Sequence, residues 1–119
     1  MTRTLFIVDD HESFRGFARA MLSTDGFDVT GEAADGESAL DAVERLHPDI
    51  VLLDIQLPGI DGFEVAERLA ASPDSPRVVL TSSRDASDYG TRLSDAPVIG
   101  FISKRDLSGD AIEDLIASH

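Results

Sequence analysis

The sequence lacks cysteine altogether and is poor in basic residues, and each shortage excludes a class of function. Without cysteine the 119-residue chain has neither disulfides nor thiolate metal ligands, and a reducing compartment suits it. Ten Lys and Arg stand against 23 Asp and Glu, a formal net charge of −13. We expect no nucleic-acid binding by this chain, because phosphate contacts supply most non-specific affinity. The surplus of carboxylates indicates either a well-solvated acidic surface or carboxylates that converge on a cation.

Long apolar runs are also missing. The first apolar run, residues 5–8, ends at two aspartates and is too short for a signal peptide or a membrane span. A chain of 119 residues is long enough for one sizeable core. We therefore expect a single soluble, cytoplasmic domain over residues 1–119 that does not contact a membrane.

Residues 50–62 contain the pattern on which the rest of the interpretation depends. Four apolar residues, 50–53, run without alternation into Asp54, and a Pro58-Gly59 turn signal follows. Such a run is typical of a strand buried on both faces, as in a parallel sheet. Asp54 would then lie at the carboxyl end of the strand, where ligands bind in open α/β sheets. A lone Asp after a strand is a plain cap or turn residue about as often as it is a functional residue. Other parts of the chain distinguish the two.

Strand and helix patterns alternate along the whole chain. Four more short apolar runs predict strands, at residues 5–8, 27–31, 78–80 and 99–102, the second with the mixed polarity of an edge strand. Apolar residues at helical spacing predict helices after Glu12, over 36–46, after Asp61 and near the end of the chain. Residues 84–97 make a poor helix. The alternation predicts an α/β fold with a five-stranded parallel sheet and helices on both faces.

Four of the predicted strands carry polar side chains at their carboxyl ends. These are Asp9 and Asp10, Asp54, Thr81 and Lys104. Two carboxylates about 4 Å apart repel by roughly 4 kcal/mol at an effective dielectric constant near 20, so three together indicate a cation. Oxygen ligands with room for water suit Mg²⁺. The set suits phosphoryl transfer to Asp54, with the metal, Lys104 and Thr81 placed to bind phosphoryl oxygens.

These motifs resemble those of response-regulator receiver domains in two-component signalling. The matching segments are residues 8–10, 53–62, 80–82 and 100–104. Residues 9–11 followed by Phe14-Arg15 are similar to receivers that precede LuxR-type helix-turn-helix domains. The resemblance implies a flavodoxin-like (CheY-like), doubly wound fold and a regulatory phosphoacceptor that assists its own phosphorylation and dephosphorylation without being an enzyme. It also implies a histidine kinase as donor, leaves room for a helix-turn-helix output domain in the parent protein, and allows a homodimer on activation.

Carried over by position, the resemblance implies a phosphoacceptor and a metal site. Asp54 would accept the phosphoryl group. Asp10, Asp54 and the backbone carbonyl of Gln56 would bind Mg²⁺ directly, while Asp9 would act mainly through water. His11 follows the acids, but a loop histidine is more often solvated than a ligand, so it is given no role.

The resemblance also implies a switch. Lys104 would contact the phosphoryl group, Thr81 would be the switch hydroxyl and Phe101 the switch aromatic. Two positions depart from the family pattern. Arg105 replaces a proline that often follows a cis bond, and we expect a trans bond because a cis non-proline bond costs about 3–4 kcal/mol. Residues 89–97 replace the familiar helix ending in Ala-Gly-Ala, in a region that transmits the signal and often forms dimers.

Three other functions fit parts of the pattern. A haloacid-dehalogenase-like phosphatase needs a general acid two residues after its nucleophile, where this chain has Gln56. A flavodoxin-like cofactor binder needs a hydroxyl- and glycine-rich loop after the first strand, where Asp9 and Asp10 would repel phosphate. A receiver-shaped interaction module that is never phosphorylated remains the main alternative.

Overall fold

All five predicted strands form one parallel sheet in the structure, a computed structural model that describes residues 2–118. The strands are β1 (Thr4–Val8), β2 (Asp28–Ala33), β3 (Ile50–Asp54), β4 (Arg77–Ser82) and β5 (Gly100–Ser103). Their order is β2-β1-β3-β4-β5, and every neighbouring pair is parallel. This confirms the fold class and places β2 at an edge. The order reverses at β1, so the carboxyl ends of β1 and β3 flank the crevice where such sheets bind ligands.

Helices connect the strands and cover both faces of the sheet. They are α1 (Glu12–Thr24), α2 (Gly36–Leu46), α3 (Gly62–Ala70), α4 (Thr91–Asp95) and α5 (Gly109–Ala117), with 3-10 turns at Ala86–Asp88 and Lys104–Asp106. Three helices have an N-cap whose side chain accepts a hydrogen bond from the backbone N–H three residues later. The caps are Asp35 for α2, Asp61 for α3 and Ser108 for α5. The helix predicted after Asp61 is confirmed, and Asp61 is its N-cap.

The core consists of two layers, one on each side of the sheet. Alternate residues of the central strands point to opposite faces, so Val51 and Leu53 pack towards α2 and α3, while Ile50 and Leu52 pack towards α1 and α5. All four are fully buried. An unalternating apolar run is therefore what a strand with helices on both faces requires.

Residues 84–97, called the α4 segment below, differ from the rest of the fold. The expected poor helix is a 3-10 turn followed by the five-residue α4, and neither element contains a buried residue. The peptide bond before Arg105 is trans, as expected, since no bond in the described part of the chain is cis. Within residues 2–118 no helix is both long and apolar enough to cross a membrane.

Candidate functional site

The acidic side chains predicted for the site lie together at the carboxyl edge of the sheet. Asp54 is the last residue of β3 and Asp9 follows β1 directly; the two residues are 2% and 0% exposed. Thr81 pairs with Asp54 across β3 and β4. Because the strands are parallel and in register, their ends deliver these polar groups to one place.

Lys104 neutralises part of this buried charge. Its Nζ lies 2.6 Å from Asp9 Oδ2 and 3.4 Å from Asp54 Oδ2. The shorter contact is an ion pair without the angles of a hydrogen bond. Asp9 Oδ2 therefore has no hydrogen-bond partner within the described residues. Nζ also lies 4.4 Å from the centre of the Phe14 ring, a cation–π contact. Burial alone would lower the pKa of Lys104, but its contacts with Asp9 and Asp54 outweigh burial and raise the pKa.

Asp54 is the carboxylate whose protonation the site perturbs most. Burial raises the pKa of Asp54 to about 6, the charge of Asp9 adds to the rise, and Lys104 opposes it. The backbone N–H of Gln56 donates to Asp54 Oδ1 at 3.1 Å, which also favours the ionised form. With a pKa of about 6, Asp54 is mostly ionised at pH 7, so a carboxylate nucleophile is available there.

His11, to which the sequence assigned no role, lies against the acids. Its Nδ1 is 3.1 Å from both Asp9 Oδ1 and Asp10 Oδ1. One ligand atom from each of Asp9, Asp10, His11 and Asp54 falls within 4.8 Å of all the others. Carboxylate oxygens gathered in this way fit a divalent cation. Asp10 and Gln56 line the same open cleft beside the acids, so water and a hydrated ion can reach them.

Thr81 and Phe101 lie on neighbouring strands, Thr81 next to Asp54 and Phe101 next to Leu80. The Thr81 hydroxyl is completely buried and has no hydrogen-bond partner in the described part of the chain, which is unusual for a buried polar group. Phe101 is half-buried, and its ring centre lies 6.3 Å from that of Tyr89. The Tyr89 hydroxyl lies 2.6 Å from Ser82 Oγ. The sequence carried no signal for that pair, because neither residue stands in a periodic pattern.

The α4 segment is attached to the rest of the molecule by side-chain contacts. Arg92 donates to Asp61 Oδ2 at 3.0 Å and lies 4.3 Å above the Phe63 ring. Arg105, the residue in place of the family's proline, forms an ion pair with Asp85. These contacts connect the segment to α3 and to the loop after β5.

Arg15 connects the acidic loop to the edge strand. Its Nη1 donates to the backbone carbonyl of Asp9 at 2.8 Å, and its Nε donates to Glu32 Oε1 on β2 at 2.9 Å. Arg19 binds the other oxygen of Glu32 at 2.7 Å. These two arginines outweigh the effect of burial and lower the pKa of Glu32. In the sequence Arg15 contributed only to the family resemblance.

Known proteins share both the sequence pattern and the fold. The family model described as the response regulator receiver domain matches residues 5–116. The response regulator GacA of Pseudomonas viridiflava is 37% identical over 105 residues, covering 87% of this chain and 49% of that protein. The DNA-binding transcriptional activator EvgA of Escherichia coli strain K12 is 34% identical over 100 residues, covering 84% and 49%. The chain thus spans about half the length of the curated relatives it matches.

Solved structures agree with this assignment. The signal receiver domain of the response regulator NarL from Mycobacterium tuberculosis superposes with a TM-score of 0.88 at 30% identity, covering 99% of this chain and 98% of that one. A LuxR-family two-component response regulator from Aurantimonas sp. SI85-9A1 superposes with a TM-score of 0.86 at 27% identity, covering 100% and 88%. With its fold, its strand-end acids and these matches, the chain belongs to the response regulator receiver domain family of two-component systems.

Proposed function

We propose that this chain is the phosphoacceptor of a two-component pathway, in which Asp54 takes a phosphoryl group from a phosphohistidine of a histidine kinase. The observation that carries the proposal is the state of Asp54. It is buried at the end of β3, its pKa of about 6 leaves it ionised at pH 7, and Lys104 Nζ lies 3.4 Å away. A nucleophile of this kind needs a nearby cation to approach an anionic phosphoryl group.

The proposed metal ligands are Asp10, Asp54 and the backbone carbonyl of Gln56, with Asp9 acting through water. The donor set is made of oxygen atoms, as Mg²⁺ prefers, and the cleft leaves room for water ligands. When bound, Mg²⁺ would offset negative charge on the phosphoryl oxygens. Arg15 would keep the loop after β1 in place through the Asp9 carbonyl.

Transfer itself needs little from the protein beyond position and charge. A carboxylate oxygen of Asp54 attacks phosphorus, the phosphorus–nitrogen bond breaks, and its electron pair stays on the imidazole nitrogen of the donor. Lys104 would shift part of its ion pairing from the carboxylates to a phosphoryl oxygen. Autodephosphorylation would be the attack of water on the same phosphorus.

The response to phosphorylation would begin at Thr81. Its hydroxyl has no hydrogen-bond partner within residues 2–118, so a phosphoryl oxygen on the neighbouring Asp54 would provide one. Movement of Thr81 towards Asp54 would open space that Phe101 can fill, beneath the α4 segment. The phosphoryl group need favour that packing by only a few kcal/mol.

The first experiment asks whether Asp54 is the acceptor. With acetyl phosphate and Mg²⁺, the wild-type chain should gain the mass of one phosphoryl group, and Asp54→Asn should gain none. A full adduct on the variant would contradict Asp54 as the acceptor. No adduct on the wild type would favour the alternative, an interaction module that is never phosphorylated.

A second experiment tests the switch with Mg²⁺ and beryllofluoride, which stands in for the phosphoryl group. Amide exchange should change most over residues 82–97 and around Phe101. The change should largely vanish in Thr81→Ala and persist in the matched control Thr81→Ser, which keeps the hydroxyl. Exchange changes confined to the loops that hold Asp9 and Asp54 would rule out the switch.

We also propose the chain's context. Residues 1–119 would form one receiver domain that binds no nucleic acid itself and controls a helix-turn-helix output domain in the parent protein. The support is that EvgA, named a DNA-binding transcriptional activator, is about twice as long as the matched region. Sedimentation of the chain with and without beryllofluoride would test homodimer formation on activation.

A further inference from the structure

We propose that His11 is an additional ligand of the metal site and makes that site favour a first-row transition-metal ion such as Ni²⁺ more than its carboxylates alone would. The inference rests on the proposed metal site at the acids. It assigns His11 a chemical role that the sequence pattern left open.

The separation of the donor atoms supports a shared ion. Metal–ligand bonds of about 2.1 Å place neighbouring ligands of an octahedral ion about 3.0 Å apart. His11 Nδ1 lies 3.1 Å from Asp9 Oδ1 and also 3.1 Å from Asp10 Oδ1. His11 Nδ1 thus already lies at the spacing of a neighbouring ligand from Asp10 Oδ1, the oxygen of a proposed direct ligand, and from Asp9 Oδ1 beside it. Ligands on opposite sides of such an ion would lie about 4.2 Å apart, so the full set within 4.8 Å needs only a small contraction.

His11 lies on the side of the acids that faces away from Lys104. Lys104 pairs with Oδ2 of Asp9 and not with Oδ1, the oxygen nearest His11. The backbone N–H of His11 donates to the same Oδ1 at 2.8 Å, which fixes the residue beside the acids. The His11 side chain is 66% exposed, so a hydrated ion can reach it from solvent.

The imidazole has no other task that the structure shows. His11 is the N-cap of α1, a position where a Ser, Thr, Asp or Asn side chain would accept a helix N–H. Its ring makes no such capping bond. Within residues 2–118, the side-chain acceptors that the ring contacts are the carboxylates of Asp9 and Asp10. These carboxylates, and not the helix, explain the position of the imidazole.

The chemistry predicts a selective effect. An imidazole nitrogen is a good ligand for Ni²⁺ and Zn²⁺, whereas Mg²⁺ prefers oxygen and keeps its waters. Removing His11 should therefore weaken transition-metal binding and change Mg²⁺ binding little. If the ring only donated a hydrogen bond to the acids, its removal would lower the affinities for Ni²⁺ and Mg²⁺ to a similar extent.

Calorimetric titration of the whole chain with Mg²⁺, Mn²⁺ and Ni²⁺ separates the two accounts. His11→Gln should lose at least about tenfold in Ni²⁺ affinity, since even outer-sphere partners of a ligand cost that much. Its Mg²⁺ affinity should stay within about threefold. His47→Gln is the matched control, because His47 follows α2 at the opposite edge of the sheet, and it should bind all three ions as the wild type does. Ni²⁺ affinity of His11→Gln equal to that of the wild type would overturn the proposal.

Pulsed EPR of the Mn²⁺-loaded chain gives a second readout that folding defects do not imitate. Coupling to an imidazole nitrogen should appear in the wild type and in His47→Gln and be absent from His11→Gln. A wild-type spectrum without nitrogen coupling would also overturn the proposal. If the wild type is phosphorylated with Mg²⁺ but both experiments give the contradicting result, only the role of His11 is disproved and the proposed function stands. A wild type that binds none of the three ions disproves the metal site itself.

Discussion

The acidic edge of the sheet and the α4 segment lie side by side but are built in opposite ways. At the acidic edge, Asp9, Asp54 and Thr81 are fully buried at strand ends and surrounded by core. In the α4 segment, no residue of the 3-10 turn or of α4 is buried, and long-range side-chain contacts hold the segment in place. We therefore expect the edge to be rigid, because sheet and core position it, and the segment to rearrange at the cost of a few side-chain contacts.

This difference suits a signalling domain. A phosphoryl group needs donors and charges in a fixed arrangement, since electrostatic stabilisation depends on groups that do not reorganise. The response needs a region with two packings of similar free energy, so that a local change in charge can select one.

Truncation of a leucine should separate the two regions most clearly. Leu52 on β3 is fully buried, so Leu52→Ala should lower the free energy of unfolding by about 3–5 kcal/mol through lost burial and an unfilled cavity. The matched change Leu93→Ala lies in α4 on a half-buried residue and should cost about 1 kcal/mol or less. Urea denaturation measures both. Equal losses would mean that the α4 segment is part of the rigid core.

Neutralisation of Asp54 should stabilise the fold. Its pKa is raised from 3.8 to about 6 in the folded chain, so the folded state binds more protons than the unfolded state between these values and stability falls as pH rises through that window. At pH 7, Asp54→Asn should therefore raise the free energy of unfolding by about 1–3 kcal/mol. The amide keeps an acceptor for the Gln56 N–H.

The pH dependence of that gain provides the control. Near pH 4, Asp54 is already protonated in the folded chain, so wild type and Asp54→Asn should be closer in stability there than at pH 7. Thermal melts at the two pH values in metal-free buffer measure the difference. A gain of the same size at pH 4 and pH 7 would show that relief of the buried charge is not its cause.

Loss of Arg15 should disturb the acidic edge from outside the core. Arg15→Gln removes the bond to the Asp9 carbonyl and should cost about 1–2 kcal/mol while weakening Mg²⁺ binding. Arg19→Gln, the matched control, also loses a bond to Glu32 but touches no atom of the acidic loop, so Mg²⁺ affinity should hold. Calorimetry and denaturation measure the two effects. Equal Mg²⁺ affinities for the two variants would show that Arg15 does not position the acidic loop for metal binding.

The smallest effect is expected at Tyr89. Tyr89→Phe keeps the ring against Phe101 but removes the hydroxyl that contacts Ser82, which should cost about 0.5–1.5 kcal/mol. Amide exchange should speed up within the α4 segment and remain unchanged in β1 and β3. Faster exchange in the central strands would show that the two regions are one cooperative unit.

Much of the acidic edge could be predicted from the sequence, because an apolar run and the polar residue that ends it are local features of the chain. The apolar run 50–53 placed Asp54 at a strand end, and the same argument placed Asp9, Thr81 and Lys104. The roles of these residues in phosphoryl transfer remain predictions, although the structure brings the residues together. The mixed polarity of 27–31 marked an edge strand, and the weak helix pattern of 84–97 corresponds to the short α4.

The sequence alone shows which segments form strands and helices, because a helix repeats apolar residues at a period of about 3.6, whereas a strand covered on both faces is a short unbroken apolar run. The polar residues that end these runs show which end of the sheet carries the acids. Three contacts became visible in the folded chain alone: His11 with two carboxylates, Arg15 with the Asp9 carbonyl, and Tyr89 with Ser82. Such contacts leave no periodic trace, since they depend on how each loop and helix is set against the sheet. That packing is a property of the whole fold and not of any one stretch of the chain.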